Sequence, residues 1–162
     1  LKKILTTFVL TVFLVIPAAL VMAAQFGLFS GRRPTDIGVH NHRLKPPGKN
    51  SQNVVSSQAA LHPHTDYQVI APLKFSGDPA VAFDRLQKII AATKGTTVVV
   101  VQPDYLYVEY QTATLKFIDD VEFALDAAKS EIHVRSASRL GRSDFGVNRN
   151  RVEKIRAAFD AN

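Results

Sequence analysis

The sequence predicts an α+β fold: a single N-terminal transmembrane helix, then a small domain whose antiparallel sheet of four or five strands is covered on one face by two packing helices. Three observations predict it. Residues 4–29 are an uncharged apolar run of 26 residues. Between residues 67 and 138, short segments alternate apolar and polar side chains with the period of a strand. Two segments with helical spacing, near residues 79–94 and 148–161, bracket most of those strands.

The charge is distributed as unevenly as the hydropathy. The chain of 162 residues has a formal net charge of +6, yet residues 50–162 hold 13 basic and 13 acidic side chains and are neutral. The excess comes from Lys2, Lys3, Arg32, Arg33, Arg43, Lys45 and Lys49, against Asp36. A neutral folded part argues against nucleic acid as a partner, which would need a basic surface. Basic residues beside an apolar helix suit membrane lipids. The absence of cysteine excludes disulfides, thiolate metal sites and thiol nucleophiles.

Taken in order, Ile4–Phe29 lies between Lys2-Lys3 and Arg32-Arg33 and has length to spare for the ~30 Å hydrocarbon core. Pro17 is expected to kink the helix or to be tolerated midway. A cleaved signal peptide is the alternative, since Val21-Met22-Ala23 resembles a small-residue cleavage site. This divides the chain into an anchor at 1–29, a basic Pro/Gly-rich linker or wrapping arm at 30–53, and a domain at 54–162. Arg32 and Arg33 favour a cytoplasmic domain. The Lys2-Lys3 start favours an uncleaved anchor with the N-terminus inside, and the expectation is a single-pass protein of the bacterial inner membrane with a periplasmic domain. The arm shows no periodicity, so it is either a flexible linker or a strap held against a partner.

Tyr67–Phe75 reads as a first strand, with Pro72 marking an edge or bulge. Asp78 can cap a helix with Pro79 at its first position, and Phe83, Leu86, Ile89 and Ile90 form its apolar stripe. Thr96–Val101 is β-branched and reads as a buried strand. In Tyr105–Gln111, Leu106, Val108 and Tyr110 share one face, with Tyr105, Tyr107 and Glu109 opposite. Leu115–Leu125 alternates similarly, and Asp119 falls among the apolar positions. It must therefore be buried and paired, or a bulge or strand end intervenes. Glu131–Ser138 turns Ile132 and Val134 inward and His133 and Arg135 outward. A last helix from a cap at Asn148 to Ala161 packs through Val152, Ile155, Ala158 and Phe159. The acidic segment Asp104–Asp126 is expected to pair with the basic one from Glu131 to Arg156.

Several of these runs are distinctive together: NVVSSQA at Asn53–Ala59, DYLYVEY, FIDDVEF, and RSASRLGRSDFGVNRNRVE within Arg135–Glu153. Over about residues 50–158 the chain resembles the domain of unknown function 1499 (DUF1499) family. The resemblance implies a domain behind a transmembrane or lipid-type leader, on the outer side of a membrane. Family members often carry cysteine at the position of Val54 and a Pro-Cys element where this chain has Pro46-Pro47-Gly48, so no thiol role carries over. The resemblance supplies no reaction and no catalytic residues.

If acidic and basic strands are neighbours, Ser56, Ser57, Gln58, Asp119, Asp120, Arg135, Ser136, Ser138, Arg139, Asn148 and Arg149 are candidates to converge. They would form either a structural network, with Asp119 or Asp120 accepting from Arg135, or a pocket for a small anionic or lipid-derived ligand. A hydrolase using Ser56 or Ser57 with His133 lacks a G-x-S-x-G elbow. His40 and His42, with His62 and His64, are two H-x-H pairs in loops, weak candidates for a metal, and no cofactor is expected. The first functional expectation is a non-catalytic accessory or stabilising subunit of a larger membrane complex. It would contact other integral subunits through the helix and residues 30–53. A tethered binding protein comes second and a hydrolase third.

Overall fold

The computed structural model of the protein describes residues 2–48 and 51–161, so Lys49 of the basic arm lies outside the described residues. Helices α1 (Lys2–Leu10) and α2 (Ile16–Gln25) join through a π-helical stretch, Thr11–Val15, into one helix of 24 residues. It is long and apolar enough to cross a membrane, at ~36 Å by its rise per residue. Length and composition suit an anchor and a signal sequence alike. Pro17 cannot donate to the carbonyl of Phe13, and the wider π turn lies where its ring would otherwise meet that carbonyl.

The domain is an α+β sandwich around an antiparallel sheet of six strands: β1 (Val54–Ser56), β2 (Leu73–Lys74), β3 (Thr96–Val101), β4 (Tyr105–Gln111), β5 (Ile118–Asp126) and β6 (Glu131–Ser138). β3 to β6 form a meander, and β1 and β2 lie end to end along the outer edge of β6. The expected strand at Tyr67–Phe75 is reduced to β2. A 3₁₀ turn at Asp66–Gln68 precedes it, and Pro72 cannot donate to a ladder. β5 begins at Ile118 rather than Leu115, because Lys116 takes a positive φ in the hairpin. β3 is an edge strand and only partly covered; its β-branched run signalled a strand, not burial.

Helices α3 (Pro79–Ala91) and α4 (Val147–Asp160) cover one face. The Asp78 carboxylate accepts from the N–H groups of Ala80 and Val81, and Pro79 occupies the first turn, as expected. Phe83, Leu86 and Ile90 of α3 and Val152, Ile155 and Phe159 of α4 close over Leu106, Val108, Val121, Phe123, Ile132 and Val134. Asn148 does not cap α4. Gly146 precedes the helix with φ 85°, and Asp144 accepts from the N–H groups of Gly146 and Asn148.

The other face is covered too, contrary to the expected one-sided sheet. The arm folds back over it: Leu44 is buried against Tyr105, Tyr107 and Ala124, with Ile37 packed beside them. The Leu44 N–H donates to Gln58 Oε1 at 2.8 Å, and Gly38 N–H donates to Glu122 Oε1 at 2.7 Å. The helix end is held as well. Gln25 Nε2 donates to the Thr114 carbonyl at 3.2 Å, and the Phe29 ring stacks on Phe117 at 5.1 Å between centroids.

Candidate functional site

The face under the arm carries the densest set of buried charges. Alternation on β4, β5 and β6 turns Tyr105, Tyr107, Glu109, Asp120, Glu122, Arg135 and Arg139 towards the arm, and the pairing register sets Glu122 opposite Arg135 and Glu109 opposite Asp120. Arg139 Nε donates to Asp120 Oδ2 at 2.9 Å and its Nη2 to Oδ1 at 2.7 Å. The same Nη2 also reaches Glu109 and, at 3.2 Å, the Tyr107 hydroxyl. Arg33 of the arm completes this group, with Nε 2.6 Å from Glu109 Oε1. Tyr107 donates to Asp120 at 2.5 Å. In the neighbouring group Arg135 Nη1 donates to Glu122 Oε2 at 3.3 Å, and the Tyr105 hydroxyl to Glu122 Oε1 at 2.8 Å.

Glu109 is held in its charged form within this network. Burial pushes the Glu109 carboxyl upward, but Arg33 and Arg139 outweigh it and hold it below the usual carboxylate range. Burial, and then their carboxylate partners, push the Tyr105 and Tyr107 phenols upward, so both stay neutral donors.

The expected convergence of the candidate residues does not occur, because the period of two splits them between faces. Asp119 lies opposite Ser138, on the helix face, and pairs with Arg151 rather than Arg135. There Arg151 Nη1 donates to Asn148 Oδ1 at 2.6 Å and to Ser136 Oγ at 3.0 Å. Asn148 Nδ2 donates to Ser138 Oγ at 3.0 Å. Asp119 is buried and paired, as one of the readings of its anomaly required. Asp120, Arg135 and Arg139 belong to the arm face. Arg149 serves neither group, donating to the Tyr67 and Val69 carbonyls at 2.6 and 2.8 Å. Arg33, Glu109, Glu122, Tyr105, Tyr107 and Arg151 are the members that were missed. Alternation together with the register would have placed the sheet residues; Arg33 and Arg151 arrive from other elements.

Ser56 and Gln58 are also structural: Ser56 Oγ accepts from Gln58 N–H at 3.2 Å, and Gln58 receives Leu44. Ser57 Oγ lies 3.3 Å from His133 Nδ1, whose Nε2 is 3.7 Å from Asp126 Oδ2. The order is that of a hydrolytic triad, but with the two ring nitrogens exchanged. Ser57 Oγ accepts the Val134 N–H at 2.9 Å and Asp126 is held by Lys129 at 2.9 Å. The serine is therefore tied to the backbone, and its carboxylate is shared with a lysine.

The histidine pairs do not form one cluster. His40 and His62 line a shallow depression with Asp36 and Lys45, and His40 also lines, with His42, a second one beneath the arm. The His64 ring turns back to the His62 carbonyl at 2.7 Å. Among the described residues no three His, Asp or Glu side chains converge as a metal would need.

A candidate membrane helix folded onto a two-faced α+β domain, with a buried ion-pair face under its own arm, defines the class. The chain belongs to the family described as Protein of unknown function (DUF1499), which it matches over residues 43–159, from within the arm to the end of α4. In a comparison with curated proteins, none matches the chain.

Proposed function

We propose that the protein is a non-catalytic, single-pass accessory subunit that stabilises a larger membrane protein complex, with its domain on the periplasmic side of a bacterial inner membrane. The observation that carries this reading is the docked tether. A domain that needed only confinement to a surface would be served by a flexible linker. Here Gln25, Phe29, Arg33, Gly38 and Leu44 in turn contact the sheet or its hairpin, so the helix leaves the domain in a defined direction. Such a body engages partners within the bilayer and outside it at once, and the helix offers the small residues Ala18, Ala19 and Ala23 for close packing. The polar cluster supports the same reading, since its carboxylates are already satisfied by arginines and tyrosines of the chain.

Extraction of the native full-length protein in mild detergent, followed by mass spectrometry of co-purifying chains, tests the proposal. Integral membrane partners at fixed stoichiometry are expected. Recovery of the protein alone, with the arm still docked, overturns it.

A further inference from the structure

An apolar cleft with no part in the network above lies beside the point where the membrane helix meets the domain. It measures about 270 Å³ and is lined by Phe117 and Ile118 of the β4–β5 hairpin, by Leu140, and by Phe145 and Val147 at the start of α4. Its position relative to the helix is fixed, because Phe117 stacks on Phe29, four residues beyond the helix end, and Gly31 lies against Arg139 and Leu140. Its two carboxylates are not free: Asp119 pairs with Arg151, and Asp144 with Tyr67 and two backbone N–H groups.

The rim is exposed and apolar. Phe145 is 95% exposed, with Leu140 and Val147 also open; on the tether itself, outside the cleft lining, Phe26 is 86% exposed and Leu28 is open too. Phe145 holds φ at +51°, a conformation that a bulky side chain adopts at a cost. No packing of its ring on the domain compensates for that strain. Basic residues stand in the same segments: Arg32 after the helix, Lys116 before Phe117, and Arg142 between the cleft residues Gly141 and Ser143. An apolar rim with basic neighbours, held at the level of a membrane helix terminus, matches a bilayer interface.

We propose that this cleft is a membrane-docking site: Phe145 and the cleft rim enter the leaflet from which the helix emerges and take up phospholipid acyl chains, while Arg32, Lys116 and Arg142 face the phosphates. It rests on the helix acting as an anchor.

The chain contains no tryptophan, so a single introduced one reports without background. Full-length Phe145→Trp is reconstituted in vesicles of phosphatidylcholine and phosphatidylglycerol, with and without acyl-chain bromination. Val147→Trp is a second rim reporter free of the φ strain, and Val101→Trp a control at the far end of the sheet, ~17 Å along β3 from Thr96. Both rim reporters are expected to emit at shorter wavelength and to be quenched several-fold more by brominated chains than Val101→Trp. Adding Leu140→Asp should reduce the quenching of Val147→Trp. Vesicle flotation separates the two layers of the argument. Protein that floats while its rim reporters stay solvent-like overturns the docking site alone; protein that does not float overturns the anchor with it. Shielded rim reporters that bromine does not quench would assign the cleft to a protein surface and overturn the lipid.

Discussion

The helix face and the arm face of the sheet are closed by different means. Under α3 and α4 lie Phe83, Leu106, Val121, Phe123 and Phe159, whose burial is additive and tolerant of small shifts. Under the arm lie Glu109, Asp120, Glu122, Arg135 and Arg139, for which burial is favourable only while each charge keeps its partner. The first face loses stability in proportion to the atoms removed. The second is conditional, and the arm is part of the condition because it supplies Arg33, the Gly38 N–H and the Leu44 side chain.

Substitutions separate the two. Phe123→Ala on the helix face should cost about 4 kcal/mol in chemical denaturation, through lost burial and the cavity left behind. Arg139→Met on the arm face should cost about 3 kcal/mol, although it keeps most of the side chain's volume, because Asp120 loses its main counter-charge. Combining it with Asp120→Asn should recover part of that loss. An equal or larger loss in the double variant would mean the face depends on packing rather than charge. Leu44→Ala should cost about 2 kcal/mol and make the arm amides exchange faster while those of β5 and β6 stay protected.

Acid provides a test without mutation. The Glu109 and Asp144 carboxyls titrate below their ordinary values in the folded state. Their contribution is therefore complete above about pH 5 and lost as pH falls below ~4 through the folded values. Lowering the pH across that window should lower the melting temperature, and Glu109→Gln should flatten the dependence. The smallest effect is expected at the α3 cap, where Asp78→Ala should cost about 1 kcal/mol and leave both faces intact.

Much of this architecture was legible from local pattern. The meander from Tyr105 to Ser138, both domain helices, the α3 cap and the apolar helix follow from periodicity and punctuation, which are properties of neighbouring residues. The site was less legible, because it depends on which residues share a face across strands. Asp119 and Arg135 are opposite in charge and lie on adjacent strands, yet β5 and β6 put them on opposite sides of the sheet. The arm was ambiguous for a related reason. Residues 31–48 have no repeating pattern because their contacts are individual ones, a backbone N–H to Glu122 here and one leucine there. No window of sequence can average such contacts into a signal.

The stacked Phe29–Phe117 pair and the Gln25–Thr114 bond have a mechanical corollary. In the proposed anchor, a rod of ~36 Å in a ~30 Å hydrocarbon layer would relieve the mismatch by leaning. With its end clamped to the β4–β5 hairpin, that lean would be handed to the whole domain. The pitch of the sheet over the bilayer would then vary with the thickness of the lipid beneath it, the domain acting as a pointer on a lever.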